Sequence, residues 1–194
     1  MKDKLNAIDG TAMSLSSITS IGEEANAEGL YSAKCSEYEG GPLLWEDTFH
    51  NVVATVGKNL MLQTALTGSA YTVVGPYMGL ISSVSYTTGP AAGDTMASHG
   101  GWTEAGSTNA PTFAARIAPS FGTATAGAIA LTSATSFTMT STGTLKGAFI
   151  VYGTGAVTTL MSTAGTLLSA GLFTGGDQPV AAGNVVQVSY SLSL

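Results

Sequence analysis

The chain has 194 residues, a formal net charge of −6 and 44% hydrophobic content, which is enough for one domain with its own core and too apolar for wholesale disorder. Acids outnumber bases and no basic stripe exists to neutralise phosphates, which argues against nucleic acid as a partner. No apolar run approaches the roughly 18 residues of a spanning helix, and the single cysteine, Cys35, cannot form an intramolecular disulfide, so the expectation is a soluble protein without membrane partner, made in a reducing cytoplasm.

The distribution of charge is more informative than its sum. Nine acids and four lysines lie within residues 1–60, whereas residues 61–194 hold only Asp94, Glu104, Arg116, Lys146 and Asp177. A typical soluble domain carries charge on about a quarter of its residues. Ionised side chains keep freely diffusing copies apart, while a surface of hydroxyls and small residues tolerates repeated close contact with other subunits. The depletion therefore points to an assembly component.

In chain order, residues 1–28 read as a flexible N-terminal arm: Ser-rich, weakly periodic, acidic towards its end, with Leu15, Ile18 and Ile21 among its scarce apolar anchors. After Met1-Lys2-Asp3-Lys4, the run Leu5-Asn6-Ala7-Ile8-Asp9-Gly10 lacks the apolar region of a signal peptide. Residues 29–194 read as one β domain. Segments 30–38 and 43–53 predict strands separated by Gly40-Gly41-Pro42, the second placing Leu44, Glu46, Thr48 and His50 on one face and Trp45, Asp47, Phe49 and Asn51 on the other. Residues 57–66 predict a helix, with Leu62 and Leu66 at i, i+4 and Thr67-Gly68 as its stop. Asp94 predicts an N-cap for a second short helix over 96–99. Further strands are expected at 77–83, 112–117, 128–133, 136–140, 145–152, 167–174 and 185–194. The last alternates cleanly, Val186, Val188, Tyr190 and Leu192 against Gln187, Ser189, Ser191 and Ser193, as an antiparallel strand buried on one face does. The expected fold is all-β: an antiparallel β-sandwich, a jelly roll of about eight strands, with one or two short helices and the arm.

Residues that carry chemistry are few. Asp94, His99 and Glu104 could converge on a divalent cation, but they lack the paired His or Cys spacing of zinc sites, and packing of His99 with Trp102, with Asp94 as a cap, is the favoured reading. No Gly-x-Ser-x-Gly elbow occurs, neither His50 nor His99 adjoins a nucleophile motif, and Val56-Gly57-Lys58-Asn59 lacks the glycine spacing of a phosphate loop. Cys35 reads as a packed thiol, and no pair of carboxylates stands out for glycosidase chemistry. Trp45, Tyr71, Tyr77, Tyr86 and Trp102 could form a sugar platform, though aromatics in a sandwich more often pack its core or an interface. No catalytic residue, cofactor or metal is expected.

Several fragments resemble a family of small tailed-bacteriophage head proteins. They are Trp45-Glu46-Asp47; Asn51-Val52-Val53-Ala54-Thr55-Val56-Gly57-Lys58-Asn59; Tyr77-Met78-Gly79-Leu80; Ala92-Gly93-Asp94-Thr95-Met96-Ala97-Ser98-His99-Gly100-Gly101-Trp102-Thr103-Glu104; and Ala170-Gly171-Leu172-Phe173-Thr174-Gly175-Gly176-Asp177. The family looks like capsid cement, or decoration, proteins with a jelly-roll body, and the resemblance covers roughly residues 30–194. It implies a virion protein that binds the outside of the shell, with the major capsid protein and further copies of itself, as a homodimer or homotrimer, for partners. Contact is expected through Leu15, Ile18 and Ile21 of the arm and through the strand of Trp45 and Phe49. A head-fibre, tail or adhesin module binding host surface glycans is the alternative, and a hydrolase on the same sandwich the less favoured third.

Overall fold

The computed structural model describes residues 27–67 and 74–194. Among these residues ten strands and one helix follow in order: β1 (Glu28–Ser36), β2 (Leu43–Val53), α1 (Thr55–Leu66), β3 (Tyr77–Ser82), β4 (Thr103–Glu104), β5 (Ala128–Ala130), β6 (Thr135–Thr138), β7 (Gly143–Tyr152), β8 (Thr166–Leu172), β9 (Gln178–Val180) and β10 (Val185–Ser193). Every pairing is antiparallel. The all-β sandwich expected from the sequence is present.

One strand makes the sandwich continuous. The first part of β2 pairs with β1, Leu30 opposite His50 and Cys35 opposite Trp45, whereas Asn51, Val52 and Val53 pair with β8. On one side of this hinge strand lie β1, β10 and the short β5 and β6; on the other lie β8, β7, β3 and β4, with β9 beside the start of β7. The two layers enclose a core of Tyr31, Phe49, Phe137, Val186, Val188 and Tyr190 facing Met78, Leu80, Leu145, Ile150 and Leu168. Its aromatic centre is tight: Tyr31 stacks on Phe49 at 5.2 Å, and the Tyr31 and Ser169 hydroxyls bridge the layers at 2.7 Å.

The second layer is buried on both faces. Ile81, Phe149, Val151, Leu167 and Ala170 point away from the first core into another, closed by Ala54, Met96, Trp102 and Ala156. Strands covered on both sides read as continuous apolar runs, which is why β3 (YMGLIS) and β8 (TLLSAGL) do not alternate. In β1 and β10, one face is open and the alternation is clean.

Some expectations fail for local reasons. Residues 112–117 form no strand, touching β3 at the single bridge Met78↔Ile117 while the Arg116 N–H bonds to the Thr158 carbonyl. No helix forms over 96–99; Asp94 instead closes a turn by accepting the Ala91 N–H at 3.0 Å. Glu28, expected as the end of the arm, already pairs with Ser193 in β1. The helix begins at Thr55, two residues early, because the Ala54 and Thr55 N–H groups bond to the Leu168 and Ala92 carbonyls.

Candidate functional site

The most concentrated polar chemistry lies against the second core. Arg116, the chain's only arginine, is fully buried and grips Glu104 through two parallel bonds of 2.8 Å. The remaining valences are also used. Arg116 donates to the Ser162 carbonyl at 2.7 Å and to the Val157 carbonyl at 3.4 Å, and Glu104 accepts the Met161 N–H at 2.6 Å. Met161 reaches it with a φ of 63°, a left-handed conformation that a side chain adopts at a cost and that aims the N–H inward. The guanidinium also lies over the Phe149 ring. With both carboxylate oxygens and the guanidinium nitrogens engaged, this arrangement ties β4 to the 105–127 and 153–165 loops rather than offering charge to a ligand.

Beside it, the residues considered for a cation are held separately. Asp94 Oδ2 accepts the Trp102 indole N–H at 2.8 Å, His99 Nδ1 lies 3.0 Å from the Trp102 carbonyl, and the His99 ring stacks on Trp102 at 4.0 Å. Glu104 belongs to Arg116. Among the described residues, no three His, Cys, Asp or Glu side chains converge as metal ligands. A cavity of about 140 Å³ remains between Met96, His99, Trp102, Arg116 and Met161.

The other singled-out residues are dispersed. Cys35 faces the first core and burial pushes its thiol up to about 11, leaving it neutral and unreactive near neutral pH. His50 is exposed opposite Leu30, away from the cavity by His99. Trp45 packs edge-on against Phe173 and donates to the Pro179 carbonyl, whereas Tyr77, Tyr86 and Trp102 surround the second core, so the described aromatics form no common platform. Tyr71 lies outside the described residues.

Of the expected contact residues, Leu15, Ile18 and Ile21 also lie outside the described residues. Phe49 corrects the expectation for its strand: it is 1% exposed, wedged between Tyr31 and Phe173, and has no surface to offer a partner. Trp45 lies on the same inner face and is half-buried. The outer face of β2 carries Leu44, Glu46, Thr48 and His50 instead.

What distinguishes the surface is the fate of the five charges after Met61. Arg116 and Glu104 neutralise each other in the interior, Lys146 pairs with Asp177 while lying over the Tyr86 ring, and Asp94 is held by two N–H donors. Among the described residues of 62–194, Asp94 is the one charge without a counter-ion, and both of its hydrogen bonds come from neutral N–H donors. Exposed apolar side chains gather at opposite ends of β1 and β2. Tyr38, Leu43 and Leu44 surround the turn between them, and Leu62, Leu66 and Leu194 lie where α1 leaves β2 and β10 ends.

The pairing of Arg116 with Glu104 escaped the sequence reading. A signal was present: a lone arginine in a charge-depleted apolar stretch needs a carboxylate when buried, and Glu104 is the nearest acid. Comparison with protein-family models, curated proteins and solved structures returns no match to this chain.

Proposed function

We propose that this chain is a non-enzymatic structural protein of a tailed-bacteriophage virion that binds the outside of the capsid and cements or decorates the shell. The observation that carries the reading is the scarcity of free charge on the surface contributed by residues after Met61, where Arg116 pairs with Glu104, Lys146 with Asp177, and Asp94 is capped by N–H donors. Such a surface loses little solvation energy when covered, because hydroxyls and backbone groups trade water for a partner more cheaply than ions do. The fragments resembling cement proteins supply the partner, the major capsid protein, and imply a jelly-roll body acting as a homodimer or homotrimer about a capsid symmetry axis. Many identical sites would be filled at once, so modest free energy per contact gives large collective stabilisation.

The test is co-sedimentation of the purified chain with shells of its own phage stripped of it. Saturable binding that raises the melting temperature of the shells is the expected result. A chain that stays in the supernatant yet binds host cells would replace this reading with the glycan-binding adhesin.

A further inference from the structure

Helix α1 has the composition of a buried helix and the position of an exposed one. Its twelve residues, TVGKNLMLQTAL, contain Val56, Leu60, Met61, Leu62, Ala65 and Leu66, yet only Gly57 is buried. Leu62 and Leu66 are 56% and 77% exposed. A helix of this length is marginal in water by itself and draws most of its stability from packing an apolar face. Packing is concentrated in the first half: Gly57 sits against the backbone of Leu167 and Leu168, its carbonyl accepts the Tyr152 hydroxyl at 2.8 Å, and Met61 reaches the first core with part of its side chain, whereas residues 62–66 are exposed.

The exposed side is shaped to receive something. Lys58, Met61, Leu62 and Ala65, at i, i+3, i+4 and i+7, form one wall of an apolar groove of about 270 Å³, and Ala27 and Leu194 form the other. Ala27 is the residue at which the described chain begins, with 26 residues ahead of it. Those residues include Leu15, Ile18 and Ile21, spaced by three, followed by Glu23 and Glu24. Ile21 lies six residues before Ala27, a reach of up to ~20 Å, against a length of ~18 Å for the helix. Among the described residues that line the groove, Lys58 is the only charged side chain, and no described carboxylate side chain pairs with it. The groove thus adjoins a tethered segment that holds both the apolar side chains and the acids it lacks.

We propose that the groove on α1 is the docking site of the segment preceding Ala27 in the same chain, with Ile18 and Ile21 covering Met61, Leu62 and Ala65, and Glu23 or Glu24 facing Lys58. Tethering favours this occupant over a second copy, because a short linker presents the segment at millimolar effective concentration. The proposal is independent of the capsid reading. It leaves the charge-poor surface contributed by residues after Met61, not this segment, free for partners.

Two measurements on the full chain test it. Hydrogen exchange should show the α1 amides protected, and Ile18→Ser with Ile21→Ser should speed their exchange at least tenfold while β1 and β10 keep their protection. In a second variant, Ile21→Cys with Leu62→Cys, mild oxidation should give a cross-link within one chain, since Cys35 is buried and cannot compete. A cross-link joining two chains would overturn the proposal in favour of exchange between copies. Unchanged α1 exchange in the serine variant together with no cross-link would overturn it outright.

Discussion

Arg116 shows how a single charge can be structural in a chain that otherwise avoids charge. Removing one member of a buried, hydrogen-bonded pair strands the other, at a cost of about 3–5 kcal/mol. Arg116→Leu should therefore lower the urea midpoint severely, leaving Glu104 with the Met161 N–H but without its cation. The double variant Glu104→Leu, Arg116→Leu should recover much of that loss, because it removes the unpaired charge as well as the pair. Buried protons give a second, independent handle. Burial raises the Cys35 thiol from 9.0 to about 11, and burial raises the Tyr31 and Tyr190 phenols above 10.0, with Tyr190 adding to the shift of Tyr31. Above pH 9 the unfolded chain thus releases protons that the folded chain still holds, so alkali favours unfolding. Cys35 contributes fully below pH 9 and its contribution should disappear as pH rises through about 11, while the two phenols contribute fully below pH 10 and lose their share only at higher pH. A melting temperature that these groups leave level near neutral pH and lower progressively above pH 9 is the expected profile, with iodoacetamide labelling Cys35 only once the chain unfolds.

Among the elements, α1 separates propensity from packing. Alanine is a better helix former than glycine by about 1 kcal/mol, so propensity alone would make Gly57→Ala stabilising. A Cβ at Gly57, however, would stand 2.9 Å from the Leu167 carbonyl oxygen and from Leu168 Cα, both backbone atoms of β8 that cannot turn aside. Gly57→Ala should lower the melting temperature, whereas Gln63→Ala, on the exposed side of the same helix, should leave it nearly unchanged. The same helix shows what local sequence can convey. The absence of β-branched residues over 58–63 and the Leu62, Leu66 spacing were legible; the start at Thr55 was not, because bonds to distant residues, Leu168 and Ala92, set it. The strands divide likewise. β10 alternates because one of its faces is open, and its inward set Val186, Val188, Tyr190 and Leu192 could be read in advance. β3 and β8 are covered on both faces, so periodicity identified them as strands without assigning their sides. Residues 112–117 misled because Phe113 and Ile117 sit in a strand-like pattern, while bonds from Arg116 to Glu104, Val157 and Ser162 hold the backbone as a loop. The candidate contact residues were legible only as composition: β2 was recognised, but Phe49 turned out to face inward.

The molecule as a whole is electrostatically divided. The net charge is carried almost wholly by residues 1–60, while residues 62–194 present a surface whose ionised groups are paired or capped. The two parts respond differently to salt, and this makes the proposed capsid contact assignable. Exposed charges more than a Debye length apart, about 10 Å at 0.1 M salt, are screened from each other, so a contact that depends on the acidic part weakens steeply as salt rises. A contact made by the uncharged sandwich surface has little to screen, and its apolar component strengthens slightly. Binding to stripped shells should therefore change less than threefold between about 50 mM and about 500 mM salt. A loss of tenfold or more over that range would place the contact on the acidic residues instead, among which Glu28, Glu37, Glu39 and Glu46 border the exposed face of β1 and β2. Charge introduced on β10, which continues that face with the uncharged side chains of Ser189 and Ser191, should act in the opposite sense to ordinary surface substitution. Ser189→Lys with Ser191→Glu leaves the net charge unchanged and, at half-buried positions on the outer face of β10, should cost little folding stability. It forces an ion pair to be desolvated wherever that face meets the shell, so co-sedimentation should fall while the melting temperature of the free chain holds. If shell binding and folding stability instead fall together, the face serves the fold alone, and the contact must be sought elsewhere on the sandwich.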